Sequence, residues 1–129
     1  MIVNRIRVLF IVAAIYDGFL GLVFLCFGPM VFKRVDVPLP NHIGYVQFPA
    51  LILILFAAMF IQVARDPVRN RPLIPYGAGL KAAYSGVVFW NELATGIPAF
   101  WIPWAWADLC FLVLFLLGWS RLRPRIRNS

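Results

Sequence analysis

The sequence predicts an all-α integral membrane protein in which four helices cross the bilayer as one bundle. Its 129 residues are 63% hydrophobic and only 13% charged, whereas soluble domains carry roughly 25% charged residues. The apolar residues fall into separate runs of about 20 residues, which is the length that spans a bilayer. Loops rich in proline or arginine separate these runs. A chain of this length is predicted to form a single transmembrane domain, residues 1–129.

The first helix is predicted over residues 8–28 and carries an acidic residue near its middle. Asp17 lies close to the expected bilayer midplane, where a carboxylate costs roughly 2.5–3.5 kcal/mol on insertion scales. Ala13 and Gly21 lie on the same helix face as Asp17, and small residues allow a second helix to approach closely. We therefore expect this face to pack against the rest of the protein and Asp17 to point inward.

The other three helices are predicted over residues 42–64, 74–93 and 102–119. Helix 2 contains a fully apolar run over residues 51–56, as a lipid-facing helix allows. Helix 3 is shorter and more polar, and its small residues Ala78, Ala82 and Gly86 predict a second close-packing face. The turn at residues 95–104 is dense in aromatic residues and proline, which is typical of the membrane–water interface.

The basic residues predict the orientation of the bundle. Nine of the 12 Lys and Arg residues fall in three segments that share one side of a four-span chain. These are Arg5, Arg7, Arg65, Arg69, Arg71, Arg121, Arg123, Arg125 and Arg127. Only Lys33 and Arg34 fall in loops on the opposite side, so both termini are predicted to be cytoplasmic. Because no basic face is interleaved with aromatics, the net charge of +7 predicts contact with anionic lipids rather than nucleic acid.

Two charged residues inside the predicted helices form the first candidate site. Lys81 and Asp17 lie at similar depth, so an intramembrane ion pair would lower the burial cost of both. Tyr16, Tyr84 and Ser85 are candidates for hydrogen bonds around this pair. In the alternative arrangement Lys81 snorkels to the cytoplasmic head groups and Asp17 bonds a hydroxyl group. Even a formed pair can serve packing and specificity alone.

A second candidate set lies toward the outer end of the predicted bundle. It comprises His42, Gln47, Asn91, Glu92 and Asp108. Carboxyl groups with a histidine beside an apolar cavity can transfer protons. In the alternative, His42 and Glu92 are solvated interfacial residues and only Asp108 is buried. A single histidine rules out a multi-histidine metal site within this chain, and no cofactor-binding motif is evident.

The sequence resembles the DoxX-like group of small bacterial membrane proteins. The similarity lies in helix 1 from Gly18 to Leu25, in the loop from Ala64 to Gly77, and in the four short spans. In outline the chain is also similar to emopamil-binding and sterol-isomerase-like proteins. The resemblance implies a bacterial inner membrane location and a link to quinone or lipid chemistry. It assigns no role to any particular residue.

Three functions are compatible with these features. In the first, the bundle binds an apolar ligand, such as a quinone, a sterol-like molecule or a lipid, and Asp17 and Asp108 anchor or protonate it. Under this hypothesis the protein could also catalyse proton transfer, but ligand binding alone would satisfy it. In the second, the protein is an accessory subunit of a larger membrane complex, with the small-residue faces as contact surfaces. In the third, it is a proton-coupled transporter that acts as a homodimer.

Overall fold

The computed structural model describes residues 2–122 and contains four long helices, with no strand in that range. They are α1 (Ile2–Arg34), α2 (Gly44–Arg65), α3 (Ile74–Ala94) and α4 (Ile102–Arg121). Short 3-10 turns, Arg71–Leu73 and Ala99–Trp101, precede α3 and α4. The predicted all-α class is confirmed, and the bounds of α2, α3 and α4 agree closely with the sequence. The predicted basic tail beyond Leu122 lies outside the described residues.

The first helix is longer than the sequence predicts. It has 33 residues: it begins at Ile2 rather than at residue 8, and it continues past Pro29 as far as Arg34. A proline ring inside a helix removes one backbone hydrogen bond and clashes with the preceding turn. The distortion appears at Phe27, whose φ of −128° and ψ of 20° are not helical. The Gly28-Pro29 pair therefore marks a kink in α1 rather than its end.

Three segments are long and apolar enough to cross a membrane, which indicates an integral membrane protein. They are Ile2–Arg34, Gly44–Arg65 and Ala99–Arg121. The third helix, α3, is absent from this set although its 21 residues match α2 and α4 in length. Lys81, Asn91 and Glu92 lower the mean hydropathy of α3.

The four helices pack as two antiparallel hairpins, α1 with α2 and α3 with α4, and α1 also lies against α4. The predicted inward face of α1 is confirmed, since Ala13, Asp17 and Gly21 are all buried. A methyl group at Gly21 would lie 2.7 Å from the carbonyl oxygen of Ala50. The absence of a side chain there therefore sets how closely α1 and α2 approach.

Two of the three residues on the predicted close-packing face of α3 are not covered by the rest of the described chain. Ala78 is buried, whereas Ala82 and Gly86 are exposed. A methyl group at Gly86 would meet no atom within 4 Å. Within the single chain, the predicted close-packing face of α3 is therefore covered only at Ala78.

An aromatic core fills one end of the molecule. The rings of Phe10 and Phe115 stack with centroids 4.5 Å apart, and Phe60 meets Phe115 edge-on at 5.2 Å. All three side chains are fully buried. This core lies toward the end of the molecule where Arg7 and Arg71 bind backbone carbonyls, which we term the basic end. Next to this core, near the middle of the molecule, lie the buried charged side chains of Asp17, Lys81 and Asp108.

Candidate functional site

Lys81 of α3 is joined to two carboxylates from two other helices. Its Nζ lies 2.7 Å from Oδ1 of Asp17 on α1 and 3.1 Å from Oδ1 of Asp108 on α4. The side chains of Lys81 and Asp17 are 0% and 1% exposed. We call these three residues the charged triad. Such pairing offsets much of the cost of removing each charge from water.

Aromatic rings enclose the Lys81 ammonium group on its remaining sides. Its Nζ lies 5.0 Å from the ring centroid of Phe111, 5.2 Å from that of Tyr16 and 5.9 Å from that of Phe60. A cation within about 6 Å of an aromatic face is attracted by the ring quadrupole. Because Lys81 is fully enclosed, the alternative in which it snorkels to the head groups is wrong.

Two polar atoms beside the triad have no hydrogen-bond partner among residues 2–122. They are Oδ2 of Asp17 and the hydroxyl group of Tyr16, and both are buried. Buried polar atoms are nearly always hydrogen-bonded, because an unmade bond costs about 1–3 kcal/mol. Asp17 therefore uses one oxygen to hold Lys81 and keeps the other available to a further group.

A cavity of about 680 Å³ adjoins the triad, and all four helices contribute to its wall. Asp17 and Asp108 both line it, while nearly all of the remaining lining is apolar or aromatic. The lining residues include Tyr16, Asp17, Phe24, Leu53, Leu80, Tyr84, Trp101, Trp104 and Asp108. Two carboxyl groups in an apolar wall of this kind are suited to hold one polar head of a largely apolar molecule.

The cavity results from the way α2 and α3 diverge. At the basic end the two helices touch, and a methyl group at Gly77 would lie 2.6 Å from the ring of Phe60. Farther from that end, Leu53 of α2 and Leu80 of α3 both line the cavity instead. The gap between these two helices thus widens away from the aromatic core.

The turn before α4 contributes to the wall of the cavity through Trp101. The ring of Trp101 stacks against Phe24 at 6.2 Å and meets Phe32 at 5.7 Å, so the turn is fixed against α1. The hydroxyl group of Tyr84 donates a hydrogen bond of 3.2 Å to the carbonyl oxygen of Trp101. Aromatic residues predicted only as an interfacial belt therefore also build the cavity wall.

The hydroxyl groups expected around the ion pair do not contact it. Tyr84 bonds Trp101 as described, and Ser85 donates to the backbone carbonyl of Lys81 at 2.7 Å within its own helix. The hydroxyl group of Tyr16 bonds nothing among the described residues. Tyr16 and Tyr84 do line the cavity, so they lie at the candidate site without supporting the ion pair.

The second candidate set does not come together. His42, Gln47, Asn91 and Glu92 are all exposed, and only Asp108 is buried. His42 accepts a hydrogen bond from the backbone of Gly44, while Glu92 accepts one from the backbone of Ile97. The alternative, with His42 and Glu92 exposed and only Asp108 buried, is therefore correct. Within residues 2–122 no group of three His, Cys, Asp or Glu side chains is placed to hold a metal ion.

The link between Asp108 and Lys81 was missed at the level of sequence. Counting turns from the start of α4 places Asp108 nearer the outer face than Lys81. The lysine side chain is long enough to cover this offset, and its Nζ reaches both carboxylates. A usable signal was available, because Asp108 is the only acidic residue in α4 and needs a cationic partner in an apolar environment.

No protein-family model, no characterised protein and no solved structure matches the chain. The resemblance to DoxX-like proteins therefore stays a prediction of the sequence.

Proposed function

We propose that the protein binds a largely apolar ligand in the cavity between its four helices, with the charged triad as the polar anchor. The observation that carries this proposal is the position of Asp17. Its Oδ2 atom is buried, has no partner among the described residues, and belongs to a side chain that lines the cavity. A ligand with one polar head would satisfy this atom and bury its apolar body against the aromatic wall.

The size and lining of the cavity support the same proposal. Small-molecule sites in proteins usually enclose about 300–1,000 Å³, with apolar walls and a few converging polar groups. The volume of about 680 Å³ lies in this range. Asp17, Asp108 and Tyr16 supply the polar groups. From the volume of the cavity we expect a ligand of lipid, quinone or sterol-like size.

The divergence of α2 and α3 supports entry of the ligand from the membrane. Leu53 and Leu80 face the cavity from the two diverging helices and are half-buried. Neighbouring side chains on α2, Leu51 and Leu55, are exposed and apolar, as expected of a surface in contact with lipid. An apolar molecule dissolved in the bilayer would thus reach the cavity without crossing water.

Native mass spectrometry of gently extracted protein tests this proposal. We expect a bound small molecule in stoichiometric amount. Leu80→Trp, which places a large ring in the cavity, should displace it, and Asp17→Asn should weaken its retention. Leu93→Trp is the matched control, because Leu93 is 87% exposed and does not line the cavity.

Two results would contradict ligand binding. A bare protein, or a bound molecule that survives Leu80→Trp, would show that the cavity is not a ligand site. Co-purification of the bare protein with larger proteins would favour the accessory-subunit hypothesis. A bare homodimer that moves protons would favour the transporter hypothesis.

One observation favours the accessory-subunit or homodimer hypothesis as a second candidate. The small residues Gly79, Ala82 and Gly86 are exposed on α3, and added methyl groups at the two glycines would meet no atom within 4 Å. Small residues let helices approach closely inside membranes. Cross-linking of Gly86→Cys in native membranes tests this surface, since a specific linked product is expected only if another helix covers it.

We also propose that α3 is the fourth membrane span and that both ends of the chain are cytoplasmic. Contacts with α4 run from the turn before α3, where Arg71 meets Trp119, to the far part of α3, where Phe89 meets Trp106. A bilayer that contains α4 would therefore contain α3 as well. The basic end holds Arg7 and Arg71, which favours a cytoplasmic position for it. A bacterial inner membrane is the location that the family resemblance favours.

A further inference from the structure

We infer that the ligand of this cavity carries a single positive charge, and is a protonated amine or a similar monocation with an apolar body. This inference rests on the proposed function and specifies its ligand class. It starts from the charge of the triad. Two carboxylates, Asp17 and Asp108, face one ammonium group, Lys81, so the triad has a formal charge of −1.

No other charged side chain between residues 2 and 122 lies in position to balance this charge. At the basic end, Nε of Arg7 donates to the carbonyl oxygen of Ala64 at 2.9 Å, and Arg71 donates to the carbonyl oxygen of Trp119 at 3.2 Å. At the opposite end of α1, Lys33 and Arg34 are exposed. The only ion pairs among the described residues are the two within the triad itself.

A net charge away from water is unfavourable, and a cation bound beside it removes the imbalance. Burial of an uncompensated ion costs several kcal/mol even after relaxation of the protein, as an order of magnitude. The free Oδ2 of Asp17 lies at the cavity wall and can accept a charge-assisted hydrogen bond from an ammonium group. An anionic head would be repelled there, and a neutral head would leave the triad at −1.

The walls of the cavity favour the same ligand class. Aromatic side chains from all four helices and from the turn before α4 line it, including Tyr16, Tyr84, Trp101 and Trp104. Aromatic faces attract cations, and Trp and Tyr do so more strongly than Phe. The triad and these rings together fit a cation whose body is apolar.

Three probes that share one rigid apolar body separate these possibilities. We would measure binding of 1-aminoadamantane, 1-adamantanol and 1-adamantanecarboxylate to the full chain in lipid nanodiscs, by equilibrium dialysis at neutral pH. The amine is expected to bind about tenfold more tightly than the alcohol, because hydrogen bonds to charged groups contribute more than neutral ones. The carboxylate is expected to bind most weakly.

Two variants test whether the triad is the source of this preference. Asp17→Asn and Asp108→Asn each bring the formal charge of the triad to zero. In either variant the amine should lose its roughly tenfold preference over the alcohol, and circular dichroism of the variant reports whether it is folded. Glu92→Gln is the matched control, because it also removes one carboxylate, but from an exposed position outside the cavity.

The outcomes distinguish this inference from the proposed function. If none of the three probes binds the unaltered protein, the proposed ligand site fails and the inference fails with it. If the alcohol or the carboxylate binds as tightly as the amine, ligand binding stands and the cation inference alone is wrong. An amine preference that persists in both Asp→Asn variants would equally overturn it. The comparison among probes on the unaltered protein decides the matter even if a variant does not fold.

Discussion

Lys81 joins three helices through one ammonium group. It contacts carboxylates from α1 and α4 and is covered by the rings of Tyr16, Phe60 and Phe111. An isolated lysine at this depth would destabilise the protein, whereas the paired one fixes how α1, α3 and α4 sit against each other. The same residue therefore contributes to the fold and forms one edge of the candidate site.

Lys81→Met should lower the stability of the protein strongly. The substitution keeps much of the side-chain volume but leaves the carboxylates of Asp17 and Asp108 without their partner. Removal of one member of a buried ion pair costs about 3–5 kcal/mol of the free energy of unfolding. Thermal unfolding in a mild detergent, followed by circular dichroism, measures this loss.

Lys33→Met is the matched control for that measurement. Lys33 is exposed near the end of α1 and forms no ion pair within the described residues. Its replacement by Met should change the free energy of unfolding by less than about 0.5 kcal/mol. Equal effects of the two substitutions would show that the triad does not stabilise the fold.

For single residues, the sequence predicts the inward position of Asp17 and offers its pairing with Lys81 as one of two alternatives. It names Asp108 as a site candidate but misses its contact with Lys81, because depth counted along separate helices ignores the reach of the lysine side chain. The remaining site candidates, His42, Gln47, Asn91 and Glu92, are exposed and lie apart from the triad. His42 and Glu92 are exposed near helix ends, and each accepts a hydrogen bond from a nearby backbone amide rather than contacting the other.

Glycine positions differ in what they do for the helices that contain them. Gly21 lies where α1 and α2 approach most closely, with Ala50 and Ile54 directly opposite. Gly86 lies on the outer face of α3, away from other side chains of the chain. Both are small residues in apolar helices, so local sequence alone does not separate them.

Gly21→Ala is therefore expected to destabilise the protein, while Gly86→Ala is not. A methyl group at Gly21 would lie 2.7 Å from the Ala50 oxygen and 2.8 Å from Cγ1 of Ile54, so α1 and α2 must separate. Overpacking of this kind costs about 1–3 kcal/mol. At Gly86 the better helix propensity of alanine should leave stability unchanged or raise it by up to about 1 kcal/mol.

Unfolding of both glycine variants in the same detergent checks this contrast. Unchanged stability of the Gly21→Ala variant would mean that α1 and α2 can move apart at little cost. A strongly destabilising Gly86→Ala would mean that another helix covers α3 in the purified protein, which would support the oligomeric alternative.

Hydropathy predicts where the helices lie and approximately where α2 and α4 end, but it predicts neither the length nor the kink of α1. Apolar runs define α2 and α4 to within two residues of their observed ends. The length of α1 escapes the same reasoning, because the helix continues through Pro29 by distorting at Phe27. A proline signals that a helix is disturbed, and packing of the flanking residues decides whether it ends. Here Gly28 and Phe32 are buried, so the continuation is held in place.

Across the whole molecule, polar and apolar regions are ordered along the helix axes. The aromatic core of Phe10, Phe60 and Phe115 lies toward the basic end. The charged triad lies next to it, near the middle of the helices. The cavity occupies the remaining part, where α2 and α3 diverge. The dense core holds the helices together, so the other end can keep an open volume without loss of the fold. No pattern in the sequence reveals this division, because it depends on how helices diverge in space.

The membrane topology gives a prediction for the whole chain. With four spans and both ends cytoplasmic, Asn4 and Pro72 lie on the inner side, while Leu39 and Thr95 lie on the outer side. All four residues are exposed. Single cysteines at these positions, in a background with Cys26 and Cys110 replaced by alanine, should differ in their reaction with a membrane-impermeant maleimide. None of these substitutions removes a basic residue, so they leave the charge distribution that orients the chain intact.

Cysteines at 39 and 95 should label in intact cells, and those at 4 and 72 only after permeabilisation. The pair at 72 and 95 tests α3 in particular, because the two positions flank that helix. Labelling of both from one side would show that α3 does not span the membrane, and a charged triad at the midplane would then be excluded. The reverse pattern at all four positions would keep the four spans and overturn only the cytoplasmic assignment of the basic end.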